Sequence, residues 1–552
     1  EQLLPLTIYK GEIDLEKTIE FLSQKIIEKY SDDSKVFISL GNPNIKAYVK
    51  LIKKTKKMKY QVMKQINKYK KTNGKYPEWI KIDVVTNEQE VNFNDVERKL
   101  IETRRNYIDF GFSLDKNWQL VFLPEEINAN AFVRLSKKNK NLKEIAENNI
   151  THYLKKYKRL NKSFKVEDYR DKKVITFHTA GYFVENEEII DLHDKGYMKG
   201  IRKLKTLTKE IDKLIETSTQ YLQNEIQADG KFTYGYFPHF DRQINHYNVL
   251  RHSSSTYALT EGLFYLNQDT SIIKKTLNYI IENHFYEKDN KGFIFDDTNS
   301  VNEIKLGQNA SFIFAVCEYL KVNPNDEVYL KYAQKVARGI LAMINMNNME
   351  TIHVLNYPDL SIKERFRIVY YDGEASLALL RLYQLDQNPN WLNTVEMLFE
   401  RFIIEKYWKF NDHWLGYCTN ELVQITPKKE YFEFGIKNVV GNLDYIYQRE
   451  TTFPTFLELL MATYHLVEVA KENGFEKLVK SMLDEEKLIK TIHKRANYQR
   501  TGYFYPEVAM YFKNPRRILG SFFIKHHGYR VRIDDVEHYL SGYVQYQKAF
   551  KQ

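Results

Sequence analysis

The chain has 552 residues, a formal net charge of +11, 43% hydrophobic and 14% aromatic residues, and a mean hydropathy of -0.54. That apolar content excludes a disordered chain and supplies material for two or three globular units. No run approaches the ~20 uncharged apolar residues a bilayer demands, so no membrane-spanning helix is expected.

The opening EQLLPLTIYKGEIDLEK lacks the basic-then-apolar layout of a signal peptide. A soluble, cytoplasmic protein is the expectation; position 1 is Glu, and a leader or anchor removed from the chain stays open. The two cysteines, Cys317 and Cys418, are far apart in apolar or aromatic surroundings, which predicts buried thiols rather than a disulfide framework or a Cys-based zinc site.

Residues 1–204 mix β-like runs with helices. The segments 36–40, 80–85, 107–114, 118–123 and 174–178 are rich in β-branched and aromatic residues and bounded by Gly, Asn and Asp, which predicts strands and an N-terminal α/β domain. Between Ser34 and Pro77 there is no acidic residue, and the lysines of 50–75 crowd a stretch read as one long helix with Tyr48, Ile52, Val62, Met63, Ile66 and Tyr69 on its buried side. A second basic stretch covers 137–165. Such stripes can make peripheral contact with an anionic surface or polymer; a solvated helix face is the simpler reading. No nucleic-acid motif accompanies the charge, so no specific nucleic-acid partner is expected. Thr103-Arg104-Arg105-Asn106-Tyr107 is polar but demands no particular chemistry, and is read as structural.

From 205 to 552 the texture is helical. Amphipathic segments at 209–225, 271–284, 326–344, 391–407 and 476–494 alternate with segments apolar nearly all round at 256–266, 310–320, 375–385, 454–466 and 536–546. Helices apolar on every side must be enclosed, and wet ones must lie outside them. This alternation predicts a repeat of helix pairs closed into an α/α toroid, (α/α)5-6, with five pairs counted and a sixth drawn from 194–204. The whole is expected to be an α+β multidomain chain.

Each enclosed helix is preceded by polar residues: Arg251-His252-Ser253-Ser254-Ser255, Gly307-Gln308-Asn309, Tyr370-Tyr371-Asp372-Gly373-Glu374, Gln448-Arg449-Glu450-Thr451-Thr452 and Arg532-Ile533-Asp534-Asp535. Parallel inner helices bring these entries to one end as a funnel. N-capping accounts for a single Ser, Asn, Asp or Thr, but not for the arginines, His252 or the pair Asp372 and Glu374.

This arrangement resembles the broad class of α/α-toroid proteins acting on carbohydrates, which includes glycoside hydrolases, sugar epimerases and polysaccharide lyases. The resemblance covers the last 345 residues or so and implies a sugar substrate. Hydrolysis needs an acid facing a carboxylate, a role open to Asp372 or Glu374 opposite Glu450, Asp534 or Asp535. Epimerisation or elimination needs a base and an acid for a carbon-bound proton, a role open to His252, Tyr371 and His538. Arg251, Arg449, Arg532 and Asn309 suit an anionic oligosaccharide or polysaccharide, since guanidinium forks match oxyanions, and Tyr236 and Tyr503 suit sugar-stacking walls. Glu374, beside the apolar run Ala375-Ser376-Leu377, is the leading catalytic candidate. Glycosidic-bond hydrolysis is the first expectation; an epimerase, a lyase or a binding protein for an anionic polymer is the alternative. Lys525-His526-His527-Gly528 lacks a third ligand at usable spacing, so neither a metal nor another cofactor is expected.

Overall fold

Apolar side chains alternating with a period of two build the first unit around an antiparallel sheet. The structure, a computed structural model, describes residues 6–551. Helix α1 (Leu6–Lys29) precedes strands β1 (Lys35–Asn42) and β2 (Ile45–Lys53), helix α2 (Met58–Asn73), strand β3 (Trp79–Asn92), helix α3 (Phe93–Glu102), strands β4 (Gly111–Ser113) and β5 (Val121–Phe122) and helix α4 (Pro124–Ala129). A separate hairpin of β6 (Val133–Leu135) and β7 (Lys143–Ile145), helix α5 (Glu147–Lys156) and strands β8 (Lys173–Glu185) and β9 (Glu188–Asp191) complete it. The sheet order is β2-β1-β3-β8-β4-β5 with β9 also on β8, and every pairing is antiparallel.

On β1, Val36, Ile38 and Leu40 share a cluster with residues of α1 and α2, whereas Phe37 on the opposite face joins the core of the helical part. Ser39, also on that face, accepts a hydrogen bond from the Tyr511 hydroxyl at 2.8 Å. The stretch 50–75 is therefore not one helix. Lys50 and Lys53 lie on β2, an edge strand, where exposed lysines discourage pairing with another chain, and helix begins only at Met58.

Beyond Arg202 outer and inner helices alternate. The pairs are α6 (Leu207–Asn224) with α7 (Val249–Tyr265), α8 (Ile273–His284) with α9 (Leu306–Val322), α10 (Glu327–Ala342) with α11 (Tyr370–Asp386), and α12 (Pro389–Ile404) with α13 (His413–Ile425). Next come α14 (Lys429–Val440), the short α15 (Leu443–Gln448) and inner α16 (Thr455–Glu472). The short α17 (Glu476–Met482), outer α18 (Glu485–Tyr498), short α19 (Pro506–Ala509) and α20 (Pro515–Ile518), and inner α21 (Ile533–Phe550) end the chain. The inner helices pack in the order α7, α9, α11, α13, α16, α21, and α21 returns to α7, so six pairs close a ring.

The sixth pair comes from inner α13 and outer α14, two helices that the sequence pattern does not separate: α13 completes the pair begun by α12, and α14 begins the pair completed by α16. Residues 194–204 supply no helix; they are turns closed by a bridge between Leu192 and Arg202. Nor do strands vanish after residue 204. Short ones occupy the links between helices: β10 (Gly235–Phe237), β11 (Arg242–Gln243), β12 (Phe285–Lys288), β13 (Lys291–Ile294), β14 (Glu303–Lys305), β15 (Val354–Asn356), β16 (Ile362–Glu364) and β17 (Val531–Arg532). They are too short to show a period in sequence.

The two parts share one continuous apolar core. Arg202 donates two hydrogen bonds to Glu507, at 2.9 and 2.6 Å, and the Ala47 N–H donates to the Met510 carbonyl at 2.7 Å. Cys317 and Cys418 are buried free thiols. Among the described residues no helix is long and apolar enough to cross a membrane.

Candidate active site

The inner helices are parallel, because residues one turn inside neighbouring helices meet. Ser254 of α7 donates to Glu537 Oε2 of α21 at 2.5 Å, and His538 of α21 donates from Nδ1 to Glu458 Oε2 of α16 at 2.9 Å. A Cβ placed on Gly307 of α9 would collide with Glu374 of α11, and one on Gly373 would collide with Asp412 at the start of α13. The N-terminal ends of the inner helices thus surround one space, and its lining comes from the first turns.

Glu374, Asp412, His413, Glu458, Glu537 and His538 gather there. Glu374 is buried with Oε2 free of any hydrogen bond, and burial, with Asp412 and Glu537 close by, holds its carboxyl well above the usual range. Asp412 caps α13 by accepting the Trp414 N–H at 2.9 Å, its Oδ2 has no partner, and burial pushes it up to about 8. Burial likewise pushes Glu537 up to about 7.

The two histidines lie on opposite sides of neutrality. Burial, then the neighbouring His538, drives His413 well below the usual imidazole range, and its Nε2 has no hydrogen-bond partner. Burial opposes charge on His538 as well, but Glu537 and Glu458 outweigh it and hold the imidazolium to about 10. The rings stand 5.4 Å apart at 80°, with Trp414 4.6 Å and Tyr370 6.0 Å from His413. The space thus sets an imidazole with a bare Nε2 beside an imidazolium, with the Glu374 and Asp412 carboxyls held toward the protonated form that can donate a hydrogen bond.

Of the residues singled out in sequence, Glu374 and His538 lie in this group. Asp372 is turned away, accepting from Thr351, from Tyr407 at 3.1 Å and from His353 at 3.3 Å. His252 faces outward: its Nδ1 meets Tyr247 at 2.6 Å, its Nε2 meets the Thr276 carbonyl at 2.9 Å, and its ring stacks on Tyr279. Arg251, Arg532, Asp534 and Asp535 form an ion-pair lattice at the entry of α21, with Arg251 3.1 Å from Asp534 and Arg532 2.8 Å from Asp535. Asn309 ties β13 to α9, accepting the Ile294 N–H and donating to the Lys305 carbonyl, both at 2.8 Å.

Tyr371 packs beside Gly307, Tyr236 donates to Glu225 at 3.0 Å, and Tyr503 is buried against Tyr505 and Phe522 with its hydroxyl 2.7 Å from Thr217. Arg449 bonds the Thr451 hydroxyl at 2.6 Å. Glu450 is exposed and lines a cavity of about 460 Å³ between the sheet and the ring, with Glu125, Lys199 and Lys525.

Glu458 and Glu537 escape a reading of the residues before each helix because they stand one turn inside α16 and α21, and Asp412 and His413 escape because α13 itself is not separated in the sequence pattern. The Asp412-His413-Trp414 entry carried a cap signal, masked by the aromatic run at 407–410. Among the described residues His413, Glu458 and His538 are the set compact enough for a metal ion, with ligand atoms within 4.8 Å of one another. The 2.9 Å Nδ1–Oε2 separation is that of a proton-bridged pair; two ligands at ~2.0–2.1 Å on tetrahedral zinc stand roughly 3.3 Å apart.

No protein-family model matches the chain, and no curated protein matches it. Among solved structures, a cellobiose 2-epimerase from Bacillus thermoamylovorans is similar at 11% identity over 62% of this chain and 100% of that one, with a TM-score of 0.48. A D-mannose isomerase is similar at 9% identity over 62% and 100%, with a TM-score of 0.47. A GH76A alpha-1,6-mannanase from Salegentibacter sp. is similar at 11% identity over 61% and 98%, with a TM-score of 0.42. The closed ring of paired helices places the chain's C-terminal part in the α/α-toroid class of folds.

Proposed function

We propose that residues 205–552 form a sugar-processing catalytic domain that moves a proton on and off carbon, the chemistry of an epimerase or isomerase, and that residues 1–204 form a domain docked on it. The observation that carries the reading is the pairing of neutral His413 with cationic His538, rings 5.4 Å apart, among first-turn residues of the ring.

The free Nε2 of His413 takes the proton from the carbon next to the carbonyl of an open-chain sugar, and the electron pair of that C–H bond moves onto the carbonyl oxygen. His538 and the protonated Glu374 hydrogen-bond the oxygen as its charge grows. Delivery of a proton to the same carbon from its other face by the His538 imidazolium, with His413 keeping the one it took, gives the epimer; return from His413 to the former carbonyl carbon, as that oxygen takes a proton and the neighbouring hydroxyl gives one up to become the new carbonyl, gives the isomer. Trp414 and Tyr370 supply flat apolar faces for the sugar. Hydrolysis requires an ionised carboxylate opposite an acid. Glu374 and Asp412 are held toward the neutral form, and the carboxylates that face His538 are engaged, Glu458 by His538 and Tyr417 and Glu537 by Ser254, which favours proton transfer.

The test is proton NMR of reducing mono- and disaccharides with the protein in D₂O. Loss of a carbon-bound proton signal that disappears with His413→Gln and with His538→Gln supports the reading. New reducing ends without deuterium uptake would replace it with hydrolysis, and binding without turnover would replace it with a binding protein.

A further inference from the structure

Thr103-Arg104-Arg105-Asn106-Tyr107 docks the first unit onto the connection that leads into α21. Asn106 Nδ2 donates to the Lys525 carbonyl at 2.7 Å, and the Tyr529 hydroxyl donates to the Asn106 carbonyl at 3.3 Å. Lys525 Nζ stands 4.6 Å over the Tyr107 ring. A Cβ on Gly528 would lie 3.2 Å from Arg105 Nη2, so the guanidinium rests on this connection, and Arg104 lies over Tyr107 at 5.9 Å.

Arg449, just before α16, faces the same place from the ring. Burial, then His527, Arg104, Arg449 and Arg105, push His526 down to about 4. Among the described residues, Arg104, Arg105 and Arg449 make no ion pair with a carboxylate; the partners of Arg449 are the hydroxyls of Thr451 and Tyr445. Arg105 Nε and His526 Nδ1 are buried without a hydrogen-bond partner. Glu450, next to Arg449 in sequence, lines the cavity beneath the junction.

Cations gathered without counter-charge repel one another, and an anion shared among them turns that repulsion into attraction. Guanidinium groups offer paired donors that match planar or tetrahedral oxyanions. Arg449 and His526 lie on the connections that lead into α16 and α21, the helices that carry Glu458 and His538.

We propose that Arg104, Arg105, Arg449 and His526 form an oxyanion site on the rim of the inner-helix space. It takes the carboxylate or sulfate of an acidic sugar whose neighbouring residue reaches His413 and His538. This rests on the proposed sugar chemistry and narrows its substrate to acidic glycans.

The test is calorimetric titration of the full chain with a glucuronic-acid-containing disaccharide, its carboxyl-reduced neutral counterpart, a sulfated disaccharide and inorganic sulfate. The acidic disaccharides should bind about ten- to a hundredfold more tightly than the neutral one, the range for hydrogen bonds to charged groups. The uronate and sulfate arms identify the source of the oxyanion. Arg104→Gln/Arg105→Gln, and separately Arg449→Gln, should remove the preference while leaving neutral-sugar affinity and the circular dichroism spectrum unchanged. Equal affinity for acidic and neutral sugars, or a preference that survives both variants, overturns the proposal. An acidic preference abolished by the variants with no proton exchange on any sugar would uphold this site and remove the proposed chemistry; exchange with indifference to charge would do the reverse.

Discussion

Glu458 Oε2 accepts the Nδ1–H of His538 at 2.9 Å across the gap between α16 and α21, and Glu537 Oε1 lies 3.8 Å from the same nitrogen. The two carboxylates hold His538 protonated to about 10 against an ordinary value of 6.5. A histidine raised on folding contributes stability that is complete below its unfolded pKa and is lost as pH rises through the folded value. Glu458→Gln should therefore bring the pKa of His538 down, and with it the alkaline limb of the proton-exchange rate. The imidazole proton signals across pH 6 to 11 give the pKa directly. An alkaline limb that does not move in Glu458→Gln would mean that His538 is not the acid.

Asp412 gives the complementary pH signature. Its carboxyl is buried and raised from 3.8 to about 8, so the folded state retains a proton that the unfolded chain releases. The wild-type protein loses stability from this group as pH climbs from about 4 through about 8. Asn keeps the capping oxygen for the Trp414 N–H and has no proton to hold. The difference in melting temperature between Asp412→Asn and wild type should become more positive from pH 5 to pH 8. A difference that is flat with pH would place Asp412 in an environment that tolerates its charge.

Much of this architecture is visible in the chain because long enclosed helices write an unmistakable pattern. Leu306–Val322 and Thr455–Glu472 are apolar on nearly every side, and that alone requires neighbours all round. Helix α13 hides because Thr419, Asn420 and Gln424 interrupt its apolar face, and because Tyr407 and Trp408 run on from the preceding amphipathic segment. The site hides for a geometric reason. Side chains at the entry itself, such as Asp372, Asn309 and His252, turn to cap or brace, while Glu374, Glu537 and His538 point inward from the next positions along. Long-range pairings such as His538 with Glu458 depend on ring closure, which no local pattern encodes.

The Arg202–Glu507 pair fastens the segment leading into the ring to the loop that meets the sheet. Both hydrogen bonds are short, and Glu507 is buried with Arg202 12% exposed. Removing Glu507 leaves the buried Arg202 with only the longer contact to Glu185 at 3.4 Å; breaking a buried pair typically costs about 3–5 kcal/mol, and the remaining carboxylate brings this one toward the lower end. Glu507→Ala should lower the melting temperature and expose the linker at 194–204 to limited proteolysis, whereas breaking an exposed pair such as Lys480 and Glu476 should leave both almost unchanged. Equal losses at the two sites would count against a fastening role.

Gly307 shows how tightly Glu374 is placed. The first turn of α9 passes so close to α11 that a Cβ at Gly307 would overlap the Glu374 carboxyl and approach the Tyr371 ring to 2.5 Å. Overpacking of this kind typically costs about 1–3 kcal/mol. The aromatic ring is held within the core, so the displacement should fall on the carboxyl, whose Oε2 has no hydrogen bond to anchor it. Gly307→Ala should therefore fold, with a modest drop in melting temperature, but push Glu374 out of line with His413 and His538. Proton exchange should fall by an order of magnitude or more, in kcat rather than KM, since an interaction made only in the transition state is the one lost. Glu374→Gln offers the comparison: it keeps the volume and a hydrogen-bond donor and should retain more activity than Gly307→Ala if placement matters more than acidity. Gly307→Ala with undiminished kcat would show that Glu374 takes no part in the chemistry.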